Sequence, residues 1–328
     1  MKNHLLLIFL FFTCFLQAQT FAPQVGFDGT TAIYKDNTIF IDWANSVSIT
    51  RGSLDIVFPE NGLVDYGTSS NAVGPANNAI ISLGDAGEAI VTFNHPVRNG
   101  SGSDFAIFEN GFLEEVGSEF AFLEFAFVEV STDGVDYVRF PSVSEVSTNS
   151  QIDGFGYINA RKISNLAGKY IVDYGTPFDL EELTNLIQGT TVDLNLINYI
   201  KIIDVVGNIN PMYASFDSLN TIINEPYPTA FSSGGFDLNA IGVIHNTSTN
   251  TIDENNKIDF SIYPNPVKDI LTIKSNVAIN HVTIYSLQGK KLVSTSNSKI
   301  EVSLLANGIY FILINSNTKI IKLKFVKF

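Results

Sequence analysis

An all-β architecture is expected of this chain: a jelly-roll β-sandwich with one inserted helix, then a second, smaller β-sandwich. Three observations point there. Short runs of β-branched and aromatic residues recur along its 328 residues, separated by turns rich in Gly, Asn and Asp. Aromatic residues make up 12% of the chain and Phe alone supplies 26 side chains, enough to fill a large core. The charge also changes sign near residue 259. From there to Phe328 nine lysines face three acids, a local +6, and the whole-chain charge of −14 leaves −20 for everything before it. A chain polarised in this way reads as two modules with different tasks.

At the N-terminus Lys2 and His4 precede an apolar run over residues 5–16, and Ala18 offers a small residue for cleavage before Gln19. Residues 1–18 therefore read as a secretory signal, too short for a bilayer that needs ~20 apolar residues. A lipid-anchored reading would use Cys14, but Thr13 sits where a smaller residue is wanted. Cys14 is the sole cysteine, so the cleaved chain is expected to carry no disulfide and no thiol metal site. No later segment reads as a transmembrane helix.

Residues 19–244 are expected to form one acidic β-domain. Strands are anticipated at 37–43, 88–93, 104–108 and 120–130, then at 199–206 and 236–244. Residues 130–140 form the clearest hairpin, with Asp133-Gly134 as its turn. The helix is anticipated over 176–187, where Thr176 can cap, Pro177 takes the first helical position and acids fill the first turn. Residues 245–258 are polar and read as a linker.

Residues 259–328 form the second module. It opens on Tyr263-Pro264-Asn265-Pro266, continues through short β-rich runs with Gln-Gly and Asn-Gly turns, and reaches Gly308-Ile309-Tyr310. It closes on a strand that alternates apolar residues with Lys322 and Lys324. This order and spacing resembles the C-terminal sorting domain of the type IX secretion system of Bacteroidetes, with Pro264, Asn265, Pro266, Gly308, Tyr310, Lys322 and Lys324 at the matching positions. The resemblance implies a small immunoglobulin-like sandwich. It also implies a cargo that crosses the inner membrane by the Sec route and the outer membrane by the type IX machinery. A sortase would then remove the tail, with attachment to lipopolysaccharide as one outcome, and the product would be at the outer-membrane surface or extracellular. A second, shorter resemblance lies in the hairpin "VEVSTDGVDYVRF", which is similar to strand pairs of discoidin-like and galactose-binding jelly-roll proteins.

Chemistry is sparse. No nucleophile elbow, zinc-protease motif, phosphate loop or dinucleotide fingerprint occurs. Histidine is too scarce in the first module for a multi-histidine metal site, and a charge near −20 repels nucleic acid. What the module offers is carboxylate and amide oxygen, the donor set of calcium. Two groups of candidate ligands stand out: Asp104, Glu109 and Asn110, and Asp204, Asp217, Asn220, Glu225 and Asp237. Tyr213, Tyr227 and Trp43 are candidate platforms for sugar rings. The reading is a non-catalytic, calcium-stabilised module that binds glycan or another surface ligand in adhesion. One alternative is a polysaccharide hydrolase with paired carboxylates, Glu109 with Glu124 or Glu129, of which Glu124 and Glu129 would face opposite sides of a regular strand. Another is nutrient capture for an outer-membrane transporter.

Overall fold

The structure is a computed structural model that describes residues 21–248, 260–275, 278–287, 289–316 and 320–328. The expected signal at 1–18 and most of the expected linker lie outside the described residues. The chain divides into two compact units, Met1–Thr249 and Asn250–Phe328. Among the described residues every regular element is a strand or a short 3-10 turn.

Ten strands build the body of the first unit: β1 (Ile33–Tyr34), β2 (Asp42–Trp43), β3 (Ser46–Thr50), β4 (Glu88–Val97), β5 (Phe105–Phe108), β6 (Ala126–Ser131), β7 (Val138–Arg139), β8 (Tyr174–Phe178), β9 (Ile197–Asp204) and β10 (Ala240–Val243). They form two five-stranded antiparallel sheets, ordered β1-β8-β5-β10-β2 and β7-β6-β9-β4-β3. From β4 to β10 the chain changes sheet at every step except the β6–β7 hairpin, which is the winding of a jelly roll.

Register explains why the sheets face each other as they do. Val47, Val91, Ile200, Val130 and Val138 pair in turn across the second sheet and form one apolar row pointing inward. The next row, with Lys201, Glu129 and Arg139, points outward, because side chains alternate along a strand. Glu129 there meets Arg139 at 2.7 Å and Lys201 at 3.3 Å. From the opposing sheet Phe105, Ile107, Phe178, Ile241 and Val243 complete the core.

Several expectations fail, the first two for a clear physical reason. The helix over 176–187 is absent. Thr176 and Pro177 belong to β8, and Asp179 caps a 3-10 turn, Leu180–Leu183, by accepting from the Glu181 amide. Proline is tolerated in β8 because β1 pairs only with Tyr174 and Gly175, so at Pro177 one edge of the strand asks for no donor. The single long strand over 120–130 is broken. Phe120–Phe122 joins Phe112–Leu113 and Ile158–Asn159 in a small separate sheet, and the ladder resumes only at Ala126. Of residues 37–43, only Asp42 and Trp43 are strand.

The linker also starts later than expected. His245 Nδ1 lies 2.7 Å from Asp104 Oδ1, and Asn246 is fully buried, so both belong to the first unit. A Cβ on Gly100 would meet the His245 ring at 2.2 Å, so glycine is needed there.

The described residues of the second unit form seven strands: β11 (Phe260–Tyr263), β12 (Ile270–Ser275), β13 (Ile279–Ser286), β14 (Lys291–Thr295), β15 (Lys299–Glu301), β16 (Gly308–Ser316) and β17 (Ile320–Lys327). They form a three-stranded sheet, β11-β12-β15, and a four-stranded one, β14-β13-β16-β17. Val267, Leu271, Val282, Ile284, Ile312, Ile314 and Phe325 fill the space between them.

Candidate functional site

Three carboxylates from distant parts of the first unit meet at one point. Glu109 follows β5, Glu124 sits in the break before β6, and Asp237 begins the two-residue strand Asp237–Leu238. One oxygen from each lies within 4.8 Å of the others, and all three residues are buried. Local structure holds each in place. Glu109 Oε2 accepts from the Gly111 amide at 2.6 Å. Asp237 Oδ1 accepts from Ser82 Oγ, and its Oδ2 accepts from Asn110 Nδ2 at 3.0 Å. The main chain at Glu124 is fitted against Gly168, where a Cβ would meet the Glu124 carbonyl oxygen at 1.9 Å.

Asp204 and Glu225 stand behind this group. Asp204, at the end of β9, accepts from the Ala86 and Phe236 amides at 2.9 and 2.7 Å. Glu225 accepts from the Phe125 amide at 2.7 Å, next to Glu124. Burial pushes the carboxyls of Glu109, Glu124, Asp204 and Glu225 well above the usual range, and neighbouring acids push them further. The charges acting on Glu124 are Asp237, Glu109, Glu225 and Asp204, all of one sign. Asp237 is pushed up to about 6 by burial, opposed by its bonds from Ser82 and Asn110.

Above the acids a pocket of about 190 Å³ opens. Glu124, Asp237 and Asn110 line it together with Phe112, Phe122, Phe155 and Phe231. Phe112 and Phe122 stack with centroids 5.1 Å apart, and Phe155 meets Phe231 at 5.6 Å. Phe112, Phe155 and Phe231 are 48, 65 and 49% exposed, so these large rings surround the opening without being covered. Exposed aromatics gathered around a concavity mark a contact surface rather than a core.

The candidate residues are regrouped by this geometry. Glu109, Asn110 and Asp237 come together, joined by Glu124, with Asp204 and Glu225 behind. Asp104 is apart from Glu109, because β5 runs between them. It accepts from the Gly100 and Leu180 amides at 2.7 and 2.8 Å and pairs with His245. Burial raises its pKa, with the Leu180 and Gly100 amides and His245 opposing. Asp217 shapes a turn, accepting from Leu219, Thr221 and Ser144 amides at 2.9, 2.8 and 3.0 Å, and Asn220 holds that turn's positive φ of 60°. Trp43 packs on Phe40 and Phe108, and Tyr227 is buried with its hydroxyl donating to Asp55. Tyr213 is half-buried in the loop after Asn210. None of the three lines the pocket. Sequence reasoning missed the phenylalanines as surface groups. One signal was available: Phe155 sits between Gly154 and Gly156, a setting that suits a loop tip and not a core strand.

In the second unit the Pro-Asn-Pro segment ties the first strand to the last. Asn265 Nδ2 donates to the Lys324 carbonyl at 3.2 Å, and its Oδ1 accepts from the Val326 amide at 2.9 Å. Its side chain thus acts as an extra rung on β17. Gly308 opens β16, and Tyr310 stacks on Phe325 at 5.5 Å while donating to the Ala306 carbonyl at 2.7 Å. Lys322 and Lys324 are exposed, with the Lys322 ammonium 4.5 Å over the Phe311 ring.

Fold and site thus define an antiparallel β-sandwich with an acid-floored, aromatic-rimmed pocket, joined in one chain to a small second sandwich. Residues 261–327 match the family described as "Secretion system C-terminal sorting domain". This part of the chain is a type IX sorting domain, which marks the protein for export to the cell surface or the medium. No helix among the described residues is long and apolar enough to cross a membrane. No curated protein matches the chain. Among solved structures, a "Biofilm associated protein - BSP domain" is 10% identical with a TM-score of 0.18. That match takes in 86% of this chain and about half, 52%, of the other. At that score the likeness carries no argument.

Proposed function

We propose that the first unit is a non-catalytic, calcium-stabilised ligand-binding module of the cell surface, and that its ligand is a glycan held in the phenylalanine-rimmed pocket. The observation that carries this is the pairing of exposed rings with polar groups beneath them: Phe112, Phe155 and Phe231 around Asn110, Glu124 and Asp237. Sugar rings stack their apolar faces on aromatic side chains, while carboxylates and amides take the hydroxyls. The sorting domain at 261–327 supports a setting where surface polysaccharide is at hand.

A glycan array probed with the secreted protein tests this. Binding to a restricted set of glycans is expected, lost in the Phe155→Ala/Phe231→Ala double variant. Each exposed stacking ring is assigned about 1 kcal/mol, so the double variant should bind 10-fold weaker or worse. Binding to none, or equal binding by the variant, would reject the reading. Release of reducing ends from a bound glycan would replace the binder with a hydrolase.

A further inference from the structure

We infer that Glu109, Glu124 and Asp237 hold one hard divalent cation of calcium's class at the floor of the pocket, with coordination positions left open toward the pocket. The three ligand oxygens lie within 4.8 Å of one another. Oxygens bound to one calcium at about 2.3–2.6 Å lie no more than roughly 5 Å apart, so three oxygens this close can share one ion. The donor set is all oxygen, without His or Cys, which favours calcium over zinc or copper.

A cluster of acids alone would not carry this. The independent observation is Glu109 Oε1. It belongs to a side chain that is 2% exposed, its sister oxygen is occupied by the Gly111 amide, and it has no hydrogen-bond partner among the described residues. A buried carboxylate oxygen without a donor costs on the order of 1–3 kcal/mol or more, and a cation supplies what it lacks. Glu124 is 4% exposed, and the charges around it are carboxylates. Structural carboxylates elsewhere in the same unit, Asp104 and Asp204, have both oxygens matched to donors. In the three-acid group Asp237 is matched in the same way, by Ser82 and Asn110, whereas Glu109 Oε1 is not.

Its position gives the ion a role beyond support. Glu124 and Asp237 line the pocket, while Glu109 lies beneath it. Calcium takes six to eight oxygens, more than these side chains supply, so positions remain for the ligand's own oxygens. A pair of neighbouring sugar hydroxyls is a ligand of that kind. This last step rests on the glycan reading; the ion site does not.

Titration of the chelator-stripped full-length protein tests the site, with calcium read by calorimetry and terbium by luminescence. One ion per chain is expected. Glu124→Gln, which keeps the side chain's shape, should weaken ion binding at least 10-fold, and Glu109→Gln should do the same. Asp217→Asn, in the turn, should leave it within 2-fold. Phe155→Ala/Phe231→Ala should also leave ion binding within 2-fold, so loss of glycan and loss of ion are read separately. No saturable binding up to millimolar calcium would overturn the inference. So would wild-type affinity in Glu124→Gln, which stands even where Glu109→Gln fails to fold.

Discussion

Single residues in this protein pull in opposite directions, and Asp85 shows how. Its carboxyl accepts from the Ile56 amide at 2.8 Å, yet burial raises its pKa to about 6 from 3.8, with Asp55 adding to the rise and the Ile56 bond opposing it. The folded state therefore holds this proton more tightly than the unfolded state does. Stability falls as pH rises from about 4 to about 6, and the cost is complete above that, near 3 kcal/mol at most. Asp85→Asn should thus stabilise the first unit in urea unfolding at pH 7.5 and have little effect at pH 4. An equal effect at both values would contradict the shift. Asn265 is the opposite case, a polar residue matched twice. Asn265→Ala should cost about 1–2 kcal/mol and speed amide exchange along Ile320–Lys327. The same scale explains what was legible in the chain. Oxygen-rich chemistry is visible in Glu109, Asn110 and Asp237, whereas in the sequence their partner Glu124 reads only as half of a catalytic pair. Asp104 was grouped with Glu109 by closeness in sequence, which the intervening strand β5 undoes.

Strands and turns were read best where period and turn agreed. The hairpin across Asp133 forms as expected, with Val138 opposite Val130, and Asp133 Oδ1 accepts from the Val135 and Asp136 amides at 2.8 and 3.0 Å. The helix failed because its signals were local. Pro177 and the acids at 181 and 182 suit a helix start, but pairing of Phe178 with Phe105 and burial of Leu180 in the core decide the backbone. The break at 123–125 was hidden because an uninterrupted apolar run does not say where one sheet ends and another begins. Ile200 sits mid-row in the second sheet, fully buried between Val91 and Val130. Ile200→Ala should cost about 2–5 kcal/mol in chemical unfolding. Glu129→Ala, on the outer face of the same strands, should cost under about 1 kcal/mol despite its two ion pairs.

Across the whole molecule the sequence polarity maps onto two compact units, Met1–Thr249 and Asn250–Phe328. The second was legible almost end to end, because its proline, glycine and lysine positions follow a shared pattern. The first showed its fold class but not its pocket, since convergence of residues 109, 124 and 237 depends on the order of strands. The address lies in the second unit, and the proposed recognition lies in the first. Two-colour flow cytometry of intact cells tests that division directly, with an antibody to the first unit and a fluorescent form of the glycan selected on the array. Cells with the full chain should carry both signals, and cells with Phe155→Ala/Phe231→Ala should keep the antibody signal and lose the glycan. Cells lacking residues 259–328 should lose both. Surface display without those residues, or glycan capture that survives loss of both rings, would contradict it.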